Sequence, residues 1–176
     1  MYDIKIKNAR TIGGTMIDQI RDQKQKLLKE NVDIKVLAIT TIDGMILNEE
    51  GIDLSDWRSL MKKPDFPFGP QNVDDIIKFV KEKKPLNPVF VDCTASYDLP
   101  ERYLDILNAG MSIATPNKRA NSMDINFYHE LRRTANKMHR RFLYETNVGA
   151  GLPIIDTLQN LYKSGDKLES FSIESK

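Results

Sequence analysis

Apolar positions in this chain switch repeatedly between a two-residue period and a three-to-four-residue period, which is how strands alternating with helices look in a sequence. Residues 2–7 alternate as a strand, and Ile12, Met16, Ile17, Ile20, Leu27 and Leu28 then return at helical spacing. Residues 33–40 predict a second strand. Beyond a polar link, residues 53–60 predict a short helix, and the proline-rich stretch 63–70 breaks regular structure as a surface excursion. Val73, Ile76, Ile77 and Val80 form one helical stripe behind the capping candidate Asn72. Residues 89–93 read as a buried strand. Pro100 suits the first turn of a helix running through Leu107, and Gly110 closes it before a strand at 111–115. A long basic helix at 123–139, a strand at 141–146, a helix from Pro153 to Tyr162 ending near Gly165, and a last candidate strand at 167–173 complete the pattern.

Strands that alternate with helices along a whole chain predict the α/β class, a doubly wound parallel sheet with helices on both faces. A chain of 176 residues with 40% hydrophobic positions can bury one such core and begin a second domain. Lysine plus arginine number 26 against 25 acids, and this balance gives no reason to expect a nucleic-acid partner. The run Arg132, Arg133, Lys137, Arg140 and Arg141 reads as a solvated helix face rather than a polyanion site. No apolar stretch approaches a membrane span, and the polar start lacks the apolar stretch of a secretory signal, so a cytoplasmic location without membrane contact is expected. The lone cysteine, Cys93, sits in an apolar strand and reads as a small buried residue. His129 and His139 have no cysteine or second histidine at ligand spacing and read as helix surface residues.

Three segments carry the chemistry. Residues 141–153, with Glu145 followed by Thr-Asn-Val-Gly149-Ala150-Gly151-Leu152-Pro153, join a strand to a helix through a small-residue turn that leaves backbone carbonyls accessible. Residues 115–121, Thr-Pro-Asn-Lys-Arg-Ala-Asn, and residues 91–96, Val-Asp-Cys-Thr-Ala-Ser, each follow a strand, where parallel α/β sheets place their ligand contacts. Together these segments resemble homoserine dehydrogenase, in particular the form fused behind an aspartokinase, and the resemblance runs from about Ile12 to about Ser170.

The resemblance implies a Rossmann-like domain that binds NAD or NADP. The usual glycine loop of such a domain lets a bare backbone approach a pyrophosphate. Here its three glycine positions fall at Asn8, Arg10 and Gly13, so two are substituted. Arg10 either excludes the phosphates sterically or swings aside and pairs with them. Arg10, Ile12 and Gly13 are the cofactor candidates of this loop. At the end of the second strand Asp43 would repel a 2′-phosphate and favour NAD, although Asp43-Gly44 can equally form only a turn. By resemblance Thr94 lines the nicotinamide side, Ala95 beside it is a cofactor candidate, and Lys118 reaches the cofactor and substrate region. Asn117 and Asn121 can hold that loop by local hydrogen bonds. The resemblance also implies a sodium ion held by Glu145 and by the carbonyls of Val148, Ala150 and Leu152. Oxygen-only ligation by one acid suits a hard cation. A salt bridge from Glu145 to Arg140 or Arg141 is the alternative use of that acid.

The family's reaction interconverts L-homoserine and L-aspartate 4-semialdehyde with a nicotinamide cofactor. The resemblance divides the chain into a nucleotide-binding domain at 1–150 and the start of the substrate and dimerisation domain at 151–176, cut off before the acids that hold homoserine and the lysine assigned to proton transfer. The chain alone is therefore expected to be inactive, since half a site cannot hold nicotinamide and substrate in reacting geometry. A homodimer and a fusion to aspartokinase in the parent protein are compatible with it. The contrasting reading is a non-catalytic interaction module that has lost nucleotide binding through Asn8 and Arg10.

Overall fold

The computed structural model describes residues 2–7, 12–66, 71–167 and 170. The loop carrying Asn8 and Arg10 and most of the expected strand at 167–173 lie outside them. Strand β1 (Tyr2–Lys7) leads into helix α1 (Ile12–Lys29) and then β2 (Ile34–Thr40), as the alternation predicts. A strand the pattern did not predict follows, β3 (Met45–Leu47), and after it the short helix α2 (Trp57–Leu60). Helix α3 (Gln71–Lys83) precedes β4 (Pro88–Asp92). A 3-10 turn at Leu99–Arg102, with Pro100 in its opening positions, runs on into α4 (Tyr103–Asn108) and then β5 (Ser112–Ala114). A short helix the pattern did not predict, α5 (Arg119–Ser122), precedes the expected long basic helix, α6 (Ile125–Lys137), whose start is set by the Asp124 carboxylate accepting from the Asn126 N–H at 2.8 Å. Strand β6 (Phe142–Leu143) is shorter than predicted because the chain turns into a 3-10 segment at Glu145–Asn147, and α7 (Ile154–Lys163) closes the described chain.

The six strands form one sheet in the order β3-β2-β1-β4-β5-β6. Every neighbouring pair is parallel except β2 with β3, where Thr40 faces Met45 across a tight turn. An antiparallel strand at the margin leaves the doubly wound parallel centre intact. Chain connections leave β1 toward β2 and leave β4 toward β5, in opposite directions, so the carboxyl ends of β1 and β4 flank the switch point where such sheets bind ligands.

Both faces of the sheet are covered, which explains the unbroken apolar runs of its strands. Phe90, Ile113 and Leu37 pack on one face against Ile76 of α3, Ile106 and Leu107 of α4 and Leu131 of α6. Val91, Ile39 and Val36 pack on the other against Ile17 of α1 and Trp57 of α2. Each fully buried side chain of this size contributes about 1.5–3 kcal/mol. The Asp18 carboxylate of α1 fastens α2 by accepting from Trp57 Nε1 at 3.1 Å and from both terminal nitrogens of Arg58 at 2.9 and 2.6 Å. The Arg58 hydrogen bonds, and then that of Trp57, hold this carboxyl down at about 2.

Three expectations need correction. Asn72 is not a cap: it lies within α3 and is buried. His139 is exposed but stands beyond α6, at φ 51°, where Arg140 N–H bonds back to the Ala135 carbonyl at 2.8 Å and His139 N–H to Asn136 at 3.1 Å. That left-handed closing turn usually belongs to glycine. Nor is the basic run a uniformly solvated face. The Arg132 guanidinium lies 3.2 Å from the Tyr128 ring centre and 4.8 Å from that of Tyr144, because its flat, weakly hydrated cation packs well on aromatic faces.

Candidate functional site

The carboxyl ends of β4 and β5 build the site. Their ladder pairs Val91 with Ala114 and goes no further, so side chains determine how the two following loops sit. Asp92, the last residue of β4, is fully buried, and its carboxylate gathers donors from three directions. Oδ1 accepts from the Thr94 backbone N–H at 2.7 Å. Oδ2 accepts from the Tyr103 hydroxyl at 2.6 Å and from Asn117 Nδ2 at 3.2 Å. A buried carboxylate is tolerated only when its lone pairs are satisfied in this way. The Thr115 hydroxyl donates to the Asp92 carbonyl at 2.9 Å and accepts from the Asn117 N–H at 2.9 Å. Asn117 also donates to the Ser96 carbonyl at 3.0 Å and accepts from the Arg119 N–H at 3.1 Å, which fixes the first turn of α5 and with it Lys118. Burial, and then the Asp92 charge, push the Tyr103 hydroxyl's pKa well above the usual tyrosine range. The same two causes push the Cys93 thiol up to about 11, so this cysteine is an inert packing residue, as expected.

Above this network Thr94, Ala95, Pro116, Asn117, Lys118, Arg119 and Ser122 line an open hollow of 350 Å³. Three of the sequence candidates, Thr94, Ala95 and Lys118, thus share one hollow beside the switch point. Thr94 is half-buried, while Ala95 and Lys118 are exposed. The Arg119 guanidinium stacks 3.6 Å from the Tyr97 ring centre at the hollow's edge. Ile12 and Gly13 open α1, with Ile12 exposed and Gly13 buried, while Arg10 lies outside the described residues. Asp43 stands after β2, within the turn that its sequence also allowed. There the Thr41 hydroxyl donates to Asp43 Oδ2 at 3.3 Å and accepts from the Asp43 N–H at 3.1 Å, while Thr41 N–H bonds the Gly44 carbonyl at 2.8 Å.

Glu145 sits apart from the hollow. Its two oxygens accept from the Ile155 and Asp156 N–H groups, each at 2.9 Å, so the carboxylate caps the amino end of α7. Among the described residues no ion pair joins Glu145 to Arg140 or Arg141, and the cap replaces that expectation. Gly149 and Ala150 are both left-handed, at φ 69° and 52°, and the Leu152 carbonyl accepts from the Ile154 N–H at 2.8 Å. Asn147 ties this turn to the hollow: with its amide oriented to satisfy both ends, its nitrogen donates to the Thr115 carbonyl at 3.0 Å and its oxygen accepts from Asn121 Nδ2 at 2.7 Å. Among the described residues no group of three histidine, cysteine or acidic side chains could hold a metal, and no helix is long and apolar enough to cross a membrane.

The buried residue of this network to which the sequence assigned no role is Asp92. Its acid at the end of an otherwise apolar strand was the available signal, since charge there demands a buried partner.

A model of the NAD-binding domain of homoserine dehydrogenase matches residues 11–145. A bifunctional aspartokinase/homoserine dehydrogenase of Haemophilus influenzae is 43% identical over 97% of this chain, which corresponds to 21% of that protein. The chain thus spans about a fifth of the length of the first curated relatives it matches. Among solved structures, a Candida auris protein of unknown function superposes with a TM-score of 0.79 at 27% identity, over 94% of this chain and 44% of the other. A hyperthermophilic archaeal homoserine dehydrogenase in complex with NADPH superposes with a TM-score of 0.68 at 27% identity, over 90% of this chain and 48% of the other.

Proposed function

Because this chain belongs to the homoserine dehydrogenase family, whose NAD-binding domain it carries, we propose that it binds a nicotinamide cofactor along the carboxyl edge of its sheet and contributes that half of a homoserine dehydrogenase site. The observation that carries this reading is the hollow formed by the loops after β4 and β5, with Thr94 and Ala95 on one side and Lys118 on the other. That hollow would hold the nicotinamide, Ile12 and Gly13 at the start of α1 together with Arg10 of the preceding loop would hold the pyrophosphate, and Asp43 would meet the adenosine ribose. When bound, the cofactor supplies or accepts the hydride exchanged with the semialdehyde or alcohol carbon. Thr94 and Ala95 hold one side of its ring, and Lys118 offers three N–H donors and a positive charge toward the substrate oxygen. The archaeal relative is in complex with NADPH, so the preference of this chain for NAD rests on Asp43, which repels an added phosphate.

The isolated chain binds without turning over. Among the described residues, the hollow's lining offers the cations Lys118 and Arg119 but no carboxylate to hold the ammonium of an amino-acid substrate. The proposed domain division near residue 150 is supported by α7, which has no buried residue. Calorimetric titration of the purified chain tests both halves of the reading. The expected result is saturable binding, with NAD about fivefold tighter than NADP, and no semialdehyde-dependent oxidation of NADH or NADPH. Tighter NADP binding overturns the role of Asp43, and turnover overturns the half-site. No binding of either nucleotide up to about 1 mM favours the non-catalytic interaction module.

The oxygens of Glu145, Val148, Ala150 and Leu152 fit a sodium ion in kind, and the left-handed Gly149-Ala150 turn gives the backbone the freedom to turn its carbonyls. Each Glu145 oxygen keeps a lone pair beyond the N–H it accepts. Sodium chloride is expected to raise the thermal midpoint by about 2–4 °C over choline chloride of equal ionic strength. Glu145→Gln should abolish that difference and cost about 1 kcal/mol through the weakened helix cap. Equal midpoints in the two salts would leave Glu145 as a helix cap alone.

A further inference from the structure

The geometry points to Asp92 as a positioning residue that couples the two loops of the hollow, holding the Thr94 backbone through one oxygen and the Asn117 side chain through the other, and so fixing where Lys118 stands. This rests on the reading of the hollow as the nicotinamide end of a cofactor site. Parallel pairing of β4 with β5 ends at Val91 and Ala114, so no backbone ladder sets the spacing of the loops beyond it. The Asp92 carboxylate spans that gap, with 2.7 Å to the Thr94 N–H and 3.2 Å to Asn117 Nδ2. Asn117 carries the restraint onward through its 3.1 Å bond from the Arg119 N–H, which leaves Lys118 between two fixed residues. Tyr103, fully buried in α4, anchors the carboxylate from behind. An apolar side chain would fill this position without the cost of burying a charge, but it would hold neither loop.

The test compares the wild-type chain with Asp92→Asn, which keeps the side-chain shape but turns one acceptor oxygen into a donor facing donors. Two readouts are followed: amide hydrogen exchange, and NAD affinity by calorimetry. In Asp92→Asn the Thr94 and Arg119 amides should exchange about tenfold faster relative to the amides of β4, and NAD should bind about tenfold more weakly. A core variant remote from the hollow, Ile106→Val, lowers stability and should leave both readouts within about twofold of wild type. Wild-type exchange at Thr94 and Arg119 in Asp92→Asn overturns the coupling, as does an equal loss of affinity in Ile106→Val, because the effect would then be one of global stability. If the wild-type chain binds no NAD, the cofactor reading fails while exchange still decides the coupling. If Asp92→Asn does not fold, Tyr103→Phe takes its place: by removing the hydroxyl that anchors the Asp92 carboxylate it should speed exchange at both Thr94 and Arg119, and unchanged exchange at both overturns the coupling.

Discussion

Raising the pH from about 8 to about 11 should cost this fold about 3 kcal/mol, a loss centred on two buried groups beneath the hollow. Cys93 titrates near 9 in the unfolded chain, and its thiol is pushed up to about 11 in the folded one by burial and by the Asp92 charge. Tyr103 is shifted in the same direction by the same causes, from an unfolded value near 10. Both groups hold their protons more tightly when folded. Their contribution is therefore complete below the unfolded values and is lost as pH rises through 9 and 10, because the unfolded chain then releases protons that the folded chain keeps. By pH 11 this amounts to about 2 kcal/mol from Cys93 and about 1 kcal/mol from Tyr103. Urea unfolding at a series of pH values measures it. Stability should be flat between about pH 7 and 8.5 and fall steeply above 9, and Cys93→Ser should lose the earlier part of that fall. A flat profile to pH 11 would show that the two groups are not buried as described.

Gly44→Ala should destabilise the chain by about 3 kcal/mol, more than a surface turn substitution normally does. Gly44 sits at φ +152°, a conformation that L side chains rarely adopt, in the turn joining β2 to β3. A Cβ there would run into the Phe66 carbonyl oxygen and come within 2.5 Å of Pro64 Cγ. Neither neighbour can yield cheaply, because Met45 and Phe66 exchange backbone hydrogen bonds at 2.9 and 3.0 Å and fix that stretch beside β3. The substitution also displaces the Thr41–Asp43 hydrogen bonds, so NAD affinity should fall with stability. Chemical denaturation checks the first effect and calorimetry the second. A loss below about 1 kcal/mol would mean that the turn adapts and that Gly44 is dispensable.

Two of the three segments that resemble the family, 91–96 and 115–121, became the walls of the hollow because each follows a strand, and strand ends of a parallel sheet gather on one edge. That Thr94, Ala95 and Lys118 share one edge of the sheet was legible for that reason. Asp92 was not read as functional because a single acid ending an apolar strand does not reveal its partners, which come from a helix eleven residues on and a loop twenty-five residues on. Arg132 was misread similarly: balanced charge and the lack of an interleaved aromatic platform placed it among solvated cations, but Tyr128 and Tyr144 converge on it from different elements. Strand β3 escaped notice because three residues are too short to show a period.

What the sequence determined by itself is the succession of the longer elements, the burial of both sheet faces and the kinship, because periodicity and local motifs are properties of neighbouring residues. Only the tertiary structure decided that Glu145 caps a helix, that Asp43 sits in a braced turn, and that Asp92 joins two loops. The Glu145 cap and the Asp92 link depend on donors ten or more residues away in the chain, whereas Asp43 is braced by Thr41 two residues before it, and hydrogen bonds act over about 3 Å of space whatever the separation in sequence.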